Sequence, residues 1–437
     1  MQTQFTRTQL KNPDIARADD ILRKCVHCGF CTATCPTYLV TGDERDSPRG
    51  RIWLIRDMLE GNTESAPATG YHLDRCLTCL SCMTTCPSGV DYMHLVDIGR
   101  QHAEELAPAA GQVRLFRRLL VAILSRGRRA WMALMLGWLA RPLSFLMPKF
   151  IRNMLAAVPD HMPRLDPVGG ADKVFSPAEM PRARVALLAG CAQRAVDRDI
   201  NAATIRLLNR LGVEIVVRKG AYCCGALAHH SGVEDAARDA MAATIRTWAG
   251  EAKYRHLDAI IINTSGCGTT IKDYGDRFAG DSTLAEDAAL ISGMAMDITE
   301  FLERIGLGEI DKDVGAGLRV TYHSACSMQH GQQLRSQPQQ LLRDAGFEVL
   351  TPHEAHICCG AAGTYNVLNP EISGELKARK SGHINATGGD IVAAGNVGCM
   401  NQLKDSTAPV VHTVELLDWA TGGPKPAKLR GKRLGQN

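Results

Sequence analysis

Several features are scarce in this chain, and each scarcity excludes something. Hydrophobic residues make up 45% of it, yet in its most apolar region the longest uncharged run, 130–140, has eleven residues. A spanning helix needs about 20, so no transmembrane segment is expected. The formal net charge is only +4 and aromatics amount to 5%. No basic stretch is interleaved with aromatics, so a nucleic-acid groove is not expected. The opening residues, MQTQFTRTQLKNPD, carry neither the apolar core of a secretory signal nor a twin-arginine pair. The expectation is a cytoplasmic protein whose thiols stay reduced. There is no dinucleotide-binding glycine fingerprint and no acid–base constellation suited to oxidising a substrate.

Against these absences stand sixteen cysteines in 437 residues. Their clustering points to metal rather than to disulfides. "CVHCGFCTATCP" at 25–36 and "CLTCLSCMTTCP" at 76–87 are both C-x2-C-x2-C-x3-C-P, the spacing of two-cluster ferredoxins. Three thiolates in a wrapped loop reach three irons of one cubane, and the fourth reaches the other cluster. That logic assigns Cys25, Cys28, Cys31 and Cys86 to one [4Fe–4S] cluster, and Cys76, Cys79, Cys82 and Cys35 to a second. Pro36 and Pro87 turn the chain there and offer no N–H to a sulfur. Structural zinc sites usually group cysteines as separated CxxC pairs, unlike this run. His27 reads as a loop residue and not a ligand. Between the motifs, Ser47 before Pro48 is a helix N-cap, and Ile52, Leu54, Ile55, Met58 and Leu59 recur at helical spacing. Arg45, Arg49 and Arg51 read first as a solvated helix start, and otherwise as cations that raise a cluster potential or meet a partner.

Residues 106–159 contain no Asp or Glu but nine Lys and Arg, set among apolar residues that include Trp131 and Trp138. Such a basic amphipathic stretch either packs against protein, within the chain or on another subunit, or lies on an anionic membrane surface. Residues 160–182, rich in Pro and Gly, read as a linker. An internal repeat follows. "RVALLAGC" at 184–191 matches "RVTYHSAC" at 319–326, and "DAIIINTSGC" at 258–267 matches "DIVAAGNVGC" at 390–399. Cys191 to Cys223 and Cys326 to Cys358 are both 32 positions apart, each ending in Cys-Cys-Gly. Strand, helix, strand and Cys-Cys-Gly in turn predict an α/β unit with a parallel sheet and cysteines at the carboxyl ends of strands. Gly225 and Gly360 let the backbone turn at the pair. Each copy supplies four cysteines: Cys191, Cys223, Cys224 and Cys267, then Cys326, Cys358, Cys359 and Cys399. The spacing leaves open whether they hold one site or two, and whether iron–sulfur, zinc or a dithiol.

The fold class expected is thus multidomain α+β and α/β. A helical two-[4Fe–4S] ferredoxin-like domain spans 1–105, and a basic helical connector and linker spans 106–182. A pseudo-twofold α/β domain of two Cys-Cys-Gly repeats follows, at 183–318 and 319–437, with a basic tail.

The stretches "ILRKCVHCGFCTATCPTYLVTGDERDSPRGRIWLI", "HLDRCLTCLSCMTTCPSGVDY", "TSGCGTTIKDYG", "HICCGAAGTYN" and "NVGCMNQL" carry a family resemblance. The combination resembles a group of electron-transfer proteins: glycolate oxidase iron–sulfur subunits, the third subunit of anaerobic glycerol-3-phosphate dehydrogenase, and heterodisulfide reductase catalytic subunits. Over nearly its full length the chain looks most like the first. That resemblance implies a complex whose FAD-binding partner subunits oxidise glycolate to glyoxylate, and often D-lactate to pyruvate. This chain would pass the electrons through its clusters to a quinone or similar acceptor, peripherally at the inner face of the membrane. An anaerobic glycerol-3-phosphate partner or an autonomous disulfide reductase is the alternative. One departure bears on the latter: heterodisulfide reductases follow each Cys-Cys-Gly unit with CxxC. Here Cys267 precedes Gly268, Thr269 and Thr270, and Cys399 precedes Met400, Asn401 and Gln402. Four thiolates per repeat instead of five leave an ordinary cluster, zinc or a dithiol. His229, His230, His323 and His356 stand near enough in sequence to assist with protons.

Overall fold

The computed structural model describes every residue except Ala157, Asp160, His161, Pro163, Arg433, Gln436 and Asn437. By its internal packing the chain falls into two compact units, 1–118 with 356–380, and 119–355 with 381–437.

The first unit is helical. Helix Pro13–Lys24 starts at Asn12, whose side chain accepts from the Asp14 amide, with proline at the first helical position. Helix Pro48–Leu59 starts in the same manner, Gly50 N donating to Ser47 Oγ at 3.0 Å. Its residues Ile52, Leu54, Ile55, Met58 and Leu59 are buried, as their spacing predicts. Pro36 opens the short helix Pro36–Thr41, where the missing N–H has no helical partner to lose, and Pro87 lies in the turn after Ser81–Thr85. Ile21, Leu22, Ile55, Leu73, Leu95 and Val96 fill the core. Helix Tyr92–Leu106 approaches this core at Gly99, where a Cβ would stand 2.7 Å from Ile55 Cγ1 and 3.1 Å from Leu73 Cδ1.

The second unit holds two sheets. In the first, β1 (Lys173–Phe175), β2 (Ala183–Leu187), β3 (Val213–Val217), β4 (Ala259–Ile262) and β5 (Ala295–Asp297) lie in the order β1-β3-β2-β4-β5. All neighbours are parallel except β1, which runs antiparallel to β3 with Val174 opposite Val216. The second sheet, β6 (Arg319–His323), β7 (Glu348–Leu350), β8 (Ile391–Ala394) and β9 (Val410–His412), is wholly parallel in the order β7-β6-β8-β9. The order β3-β2-β4-β5 repeats as β7-β6-β8-β9, so the duplication read in sequence is a duplication of topology. All four residues of β4 and of β8 are buried, as expected of parallel strands covered on both faces. Trp248 is fully buried over β4 with Met241, Ile260 and Ile262.

The two repeats meet around Ser265. Its amide donates to Gly395 O (3.1 Å), its hydroxyl lies 2.7 Å from Ser327 Oγ, and its carbonyl accepts from Gln332 Nε2 (2.9 Å). Farther along, Arg206 Nε donates to the fully buried Asp418 at 2.9 Å. The reading of 160–182 as a linker needs correcting. Residues 160, 161 and 163 of it lie outside the described residues, but Lys173–Phe175 joins the sheet edge as β1. Asp166 is buried too, its amide donating to Arg194 O (2.8 Å) and its carboxylate accepting from Asn201 Nδ2 (2.7 Å). Two apolar residues in a row, Val174 and Phe175, suffice to pair an edge, whatever the surrounding Pro and Gly content.

At Gly99 a side chain meets tightly packed aliphatic carbons. Gly99→Leu is expected to destabilise the protein by about 1–3 kcal/mol, read as a lowered melting temperature. Gly293→Ala, in helix Ala285–Met294 where a Cβ meets nothing within 4 Å, is expected to keep or slightly raise it.

Candidate metal centre

The first unit places all eight N-terminal cysteines around two cavities. One, of about 450 Å³, is lined by Cys25, Cys28, Cys31 and Cys86, with Cys82 and Tyr92 in its wall. The other, of about 310 Å³, is lined by Cys35, Cys76, Cys79 and Cys82, again with Tyr92. The first cavity thus draws three cysteines from the first motif and two from the second, and the second draws three from the second motif and one from the first.

The loops reach this geometry by local backbone strain. His27 and Gly29 have φ of 56° and 84°, and the equivalent Thr78 and Leu80 have φ of 48° and 61°. Left-handed residues alternating with cysteines curl each loop inward. Only glycine adopts that region freely, and a β-branched Thr78 there is a true outlier. Strain of this kind, about 1–3 kcal/mol per residue, persists where a functional geometry demands it. His27, read as a plain loop residue, owes its place to this turn. Burial, with the N-terminal amine and Arg49, lowers its pKa.

The walls suit thiolates. Cys76 Sγ accepts from Thr78 N (3.4 Å) and from the Tyr92 hydroxyl (3.8 Å), and Cys35 Sγ lies 3.3 Å from Thr37 Oγ1. Burial works against ionisation of Cys76, yet Arg51 and Arg100 outweigh it and pull that thiol below its ordinary value. Burial and the neighbouring Cys358 push Cys79 up, burial and Cys79 push Cys82 up, and burial raises Cys31 to about 11. Thiols held neutral and crowded in this way are stable as thiolates only with a cation among them. A cysteine-only donor set, two cysteine-lined cavities and arginines in the wall fit iron–sulfur clusters.

Arg51 overturns the reading of a solvated helix start. Arg45 keeps to the surface with Asp43, whereas Arg51 is 1% exposed. It reaches Asp46, Thr37 and the His72 carbonyl, none of them marked in sequence as part of the site.

In the second unit, three adjacent parallel strands deliver the cysteines of the first repeat. Cys191 follows β2, Cys223 and Cys224 follow β3, and Cys267 lies in the first turn of helix Ser265–Lys272 after β4. The sulfurs of Cys191 and Cys223 are 3.6 Å apart. Cys224 interacts with both Cys223 and Cys267, so the four thiols form one connected group. The Cys191 contact favours the Cys223 thiolate, but the Cys224 thiol and burial raise Cys223 to about 12. Gly225 turns the pair with φ of 82°, its amide donating to Cys223 Sγ at 3.4 Å. Tyr274 and Thr244 hold the carbonyls of Cys224 (2.8 Å) and Cys223 (2.9 Å).

The second repeat is divided. Cys326, after β6, and Cys399, in the first turn of Val397–Gln402 after β8, belong to the second unit; Cys358 and Cys359 belong to the first. The local turn is the same: Gly360 has φ of 86° and its amide donates to Cys358 Sγ at 3.4 Å. Within the first unit Tyr365 donates to Arg75 O at 3.0 Å, anchoring this segment beside the second ferredoxin motif. Of the four histidines, His229 is engaged with Glu234 (2.9 Å) and Arg277, and His230 packs its ring on His229. His323 is buried at the end of β6, and His356 opens the segment 356–380.

Residues 21–90 match a family described as the 4Fe-4S dicluster domain, and residues 185–272 and 320–404 match the cysteine-rich domain. The chain is 35% identical over 421 residues to the glycolate oxidase iron–sulfur subunit of Escherichia coli (strain K12), covering 96% of this chain and 99% of that one. It is 28% identical over 453 residues to the probable glycolate oxidase iron–sulfur subunit of Bacillus subtilis (strain 168), covering 97% and 99%. It is also 31% identical to lactate utilization protein A of Geobacillus sp. (strain WCH70), over 54% of this chain and 99% of that one. The chain is an iron–sulfur protein that carries [4Fe–4S] clusters.

A Cβ at Gly225 would stand 2.6 Å from Met241 Cγ and 2.9 Å from Ala237 O. Gly225→Val is expected to destabilise by about 2 kcal/mol or more and to open Cys223 and Cys224 to iodoacetamide, read by peptide mass spectrometry. Gly250→Ala, with open space around it, leaves both protected.

Proposed function

Because the chain belongs to the family of glycolate oxidase iron–sulfur subunits, we propose that it is the electron-transfer subunit of a flavin-dependent glycolate dehydrogenase. FAD-binding partner subunits oxidise glycolate to glyoxylate, and D-lactate to pyruvate. Two electrons leave each substrate, and this chain passes them to a quinone-type acceptor at the membrane. The observation that carries this reading is the pair of cavities lined by eight cysteines and sharing Cys82 and Tyr92. Bound clusters supply one-electron storage at each. Cys25, Cys28, Cys31 and Cys86 hold the first, and Cys76, Cys79, Cys82 and Cys35 the second. The surrounding amides, hydroxyls and arginines stabilise the thiolate charge. Cys191, Cys223, Cys224 and Cys267 form a further metal or redox site; Cys326, Cys358, Cys359 and Cys399 are the corresponding cysteines of the second repeat.

The basic region supports attachment to an anionic membrane surface. Among the described residues no helix is long and apolar enough to cross a membrane. In helix Gly127–Ala140, Met132, Leu136 and Leu139 are exposed at helical spacing, followed by Leu143, Phe145 and Leu146. Arg128 and Arg129 are exposed in the first turn of the same helix. Exposed apolar residues next to arginines, in a stretch 106–159 that contains no Asp or Glu, suit an anionic lipid interface.

Anaerobic iron, sulfide and zinc analysis of wild type and of a Cys223→Ser/Cys358→Ser double variant tests the cofactor reading. About twelve or more irons in wild type, falling toward about eight in the variant, are expected if the cysteine-rich repeats carry a cluster. About eight in both would leave those repeats a thiol or zinc site, and fewer than eight with zinc instead would overturn the reading. Copurification of a flavoprotein is expected, and disulfide reductase activity of the isolated chain would refute the subunit role. Leu136→Glu/Leu139→Glu/Phe145→Glu is expected to weaken cosedimentation with phosphatidylglycerol vesicles at least about tenfold, each lost apolar contact contributing roughly 1 kcal/mol or more.

A further inference from the structure

Arg51 is a buried cation placed against thiolates. From helix Pro48–Leu59 its Nε donates to His72 O at 2.8 Å, and both terminal nitrogens donate to Thr37 Oγ1 at 3.1 Å. The same hydroxyl lies 3.3 Å from Cys35 Sγ and donates to Asp46 O at 2.8 Å. Burial opposes its charge, but the neighbouring Cys76 and Cys35 thiolates and Asp46 offset it, and a guanidinium keeps its proton in proteins. A buried cation is costly unless negative charge offsets it, and Asp46 does so only in part. That carboxylate, itself fully buried, faces Arg51 at 3.5 Å, Arg75 at 3.2 Å and His72 Nδ1 at 2.9 Å. Two guanidiniums on one carboxylate leave an excess positive charge beside the second cavity. Arg100 adds another, donating to Cys76 O at 2.8 Å and Thr78 Oγ1 at 3.0 Å. At the first cavity Arg49 is paired with Glu44 at 2.8 Å and its side chain is 36% exposed, so solvent and salt screen it.

A four-thiolate [4Fe–4S] site carries net negative charge and gains a further unit on reduction. A fixed cation in a low-dielectric wall therefore favours the reduced state, and local charge is one of the determinants of cluster potential. We propose that Arg51 is a positioning residue that raises the reduction potential at the Cys35, Cys76, Cys79 and Cys82 site above that at the Cys25, Cys28, Cys31 and Cys86 site. Electrons then run from the first site to the second. Each reduction adds one electron and no proton, since Arg51 is cationic before and after. The inference rests on the reading that these eight cysteines hold two [4Fe–4S] clusters.

The test is an anaerobic dithionite titration of the full chain, followed by electron paramagnetic resonance. Cys79→Ser identifies the second site's signal by its loss or alteration. Arg51→Gln is expected to lower that site's electron affinity at least tenfold, which is about 59 mV for a one-electron couple, and to leave the other site unmoved. Arg51→Lys, keeping the charge, is expected to shift it less than about threefold, or roughly 30 mV. Asp46→Asn, which removes the compensating anion, is expected to shift the same midpoint upward, and Arg45→Gln at the surface to shift neither. A merely structural role predicts shifts of one sign for Arg51→Gln and Asp46→Asn; that result, or no shift in either, overturns the proposal. If Arg51→Gln loses iron, Asp46→Asn decides alone: upward supports, anything else overturns. Iron analysis of wild type keeps the two questions apart, since too little iron there refutes the cluster reading before any potential is compared.

Discussion

The constraint on which the first unit depends is the electrostatic cost of gathering thiolates in a small, water-poor space. Burial alone pushes thiols toward neutrality, as at Cys82 and Cys31, and a neutral thiol is a poor ligand. The chain meets this constraint with fixed charge and fixed dipoles. Arg51 and Arg100 overcome burial at Cys76, Thr78 N and the Tyr92 hydroxyl point at its sulfur, and Thr37 links Arg51 to Cys35. The strained φ at His27, Thr78 and Leu80 is tolerated for the same purpose, because the left-handed turns aim the loops at the cavities.

The second unit solves its own problem through topology. An open parallel sheet collects the loops that leave its strands at one end, so three short loops after β2, β3 and β4 bring Cys191, Cys223, Cys224 and Cys267 together, with glycine at the left-handed positions 190 and 225. The duplication reproduces the sheet order and the Gly360 turn. Its two copies nonetheless have different surroundings: Cys223 and Cys224 stay with their sheet, whereas Cys358 and Cys359 belong to the unit of the ferredoxin motifs. Burial and then Cys358 are what raise the Cys79 thiol, so the second cysteine-rich copy acts electrostatically on a ferredoxin-type cysteine, and the first copy has no such partner among the described residues of its unit.

Much was legible along the chain because the signals are local. The Ser47 cap and the buried stripe of helix Pro48–Leu59 follow from spacing over twelve residues. The alternation of β-branched runs with amphipathic helices was enough to read a parallel sheet. The linker reading missed β1, because pairing Val174 with Val216 depends on an edge supplied by residues some forty positions later. The arginines failed for a related reason. Arg45 and Arg51 look alike in a helix start, and only the arrival of Thr37, Asp46, His72 and Cys76 from elsewhere in the chain makes one a surface residue and the other a buried cation.

The ligand chemistry follows from the spacing of the cysteines alone. Thiolates at C-x2-C-x2-C-x3-C-P spacing can wrap only a narrow set of metal groups, and short-range geometry dictates which cysteines share a loop. The duplication is also set along the chain, since register and topology follow from where the apolar runs lie. The electrostatics around those ligands arise only on folding. Charge acts through space and through the local dielectric, and neither is a function of distance along the chain. That is why the burial of Arg51, its partial neutralisation by Asp46, and the grouping of Cys358 with Cys79 became visible only in the folded molecule.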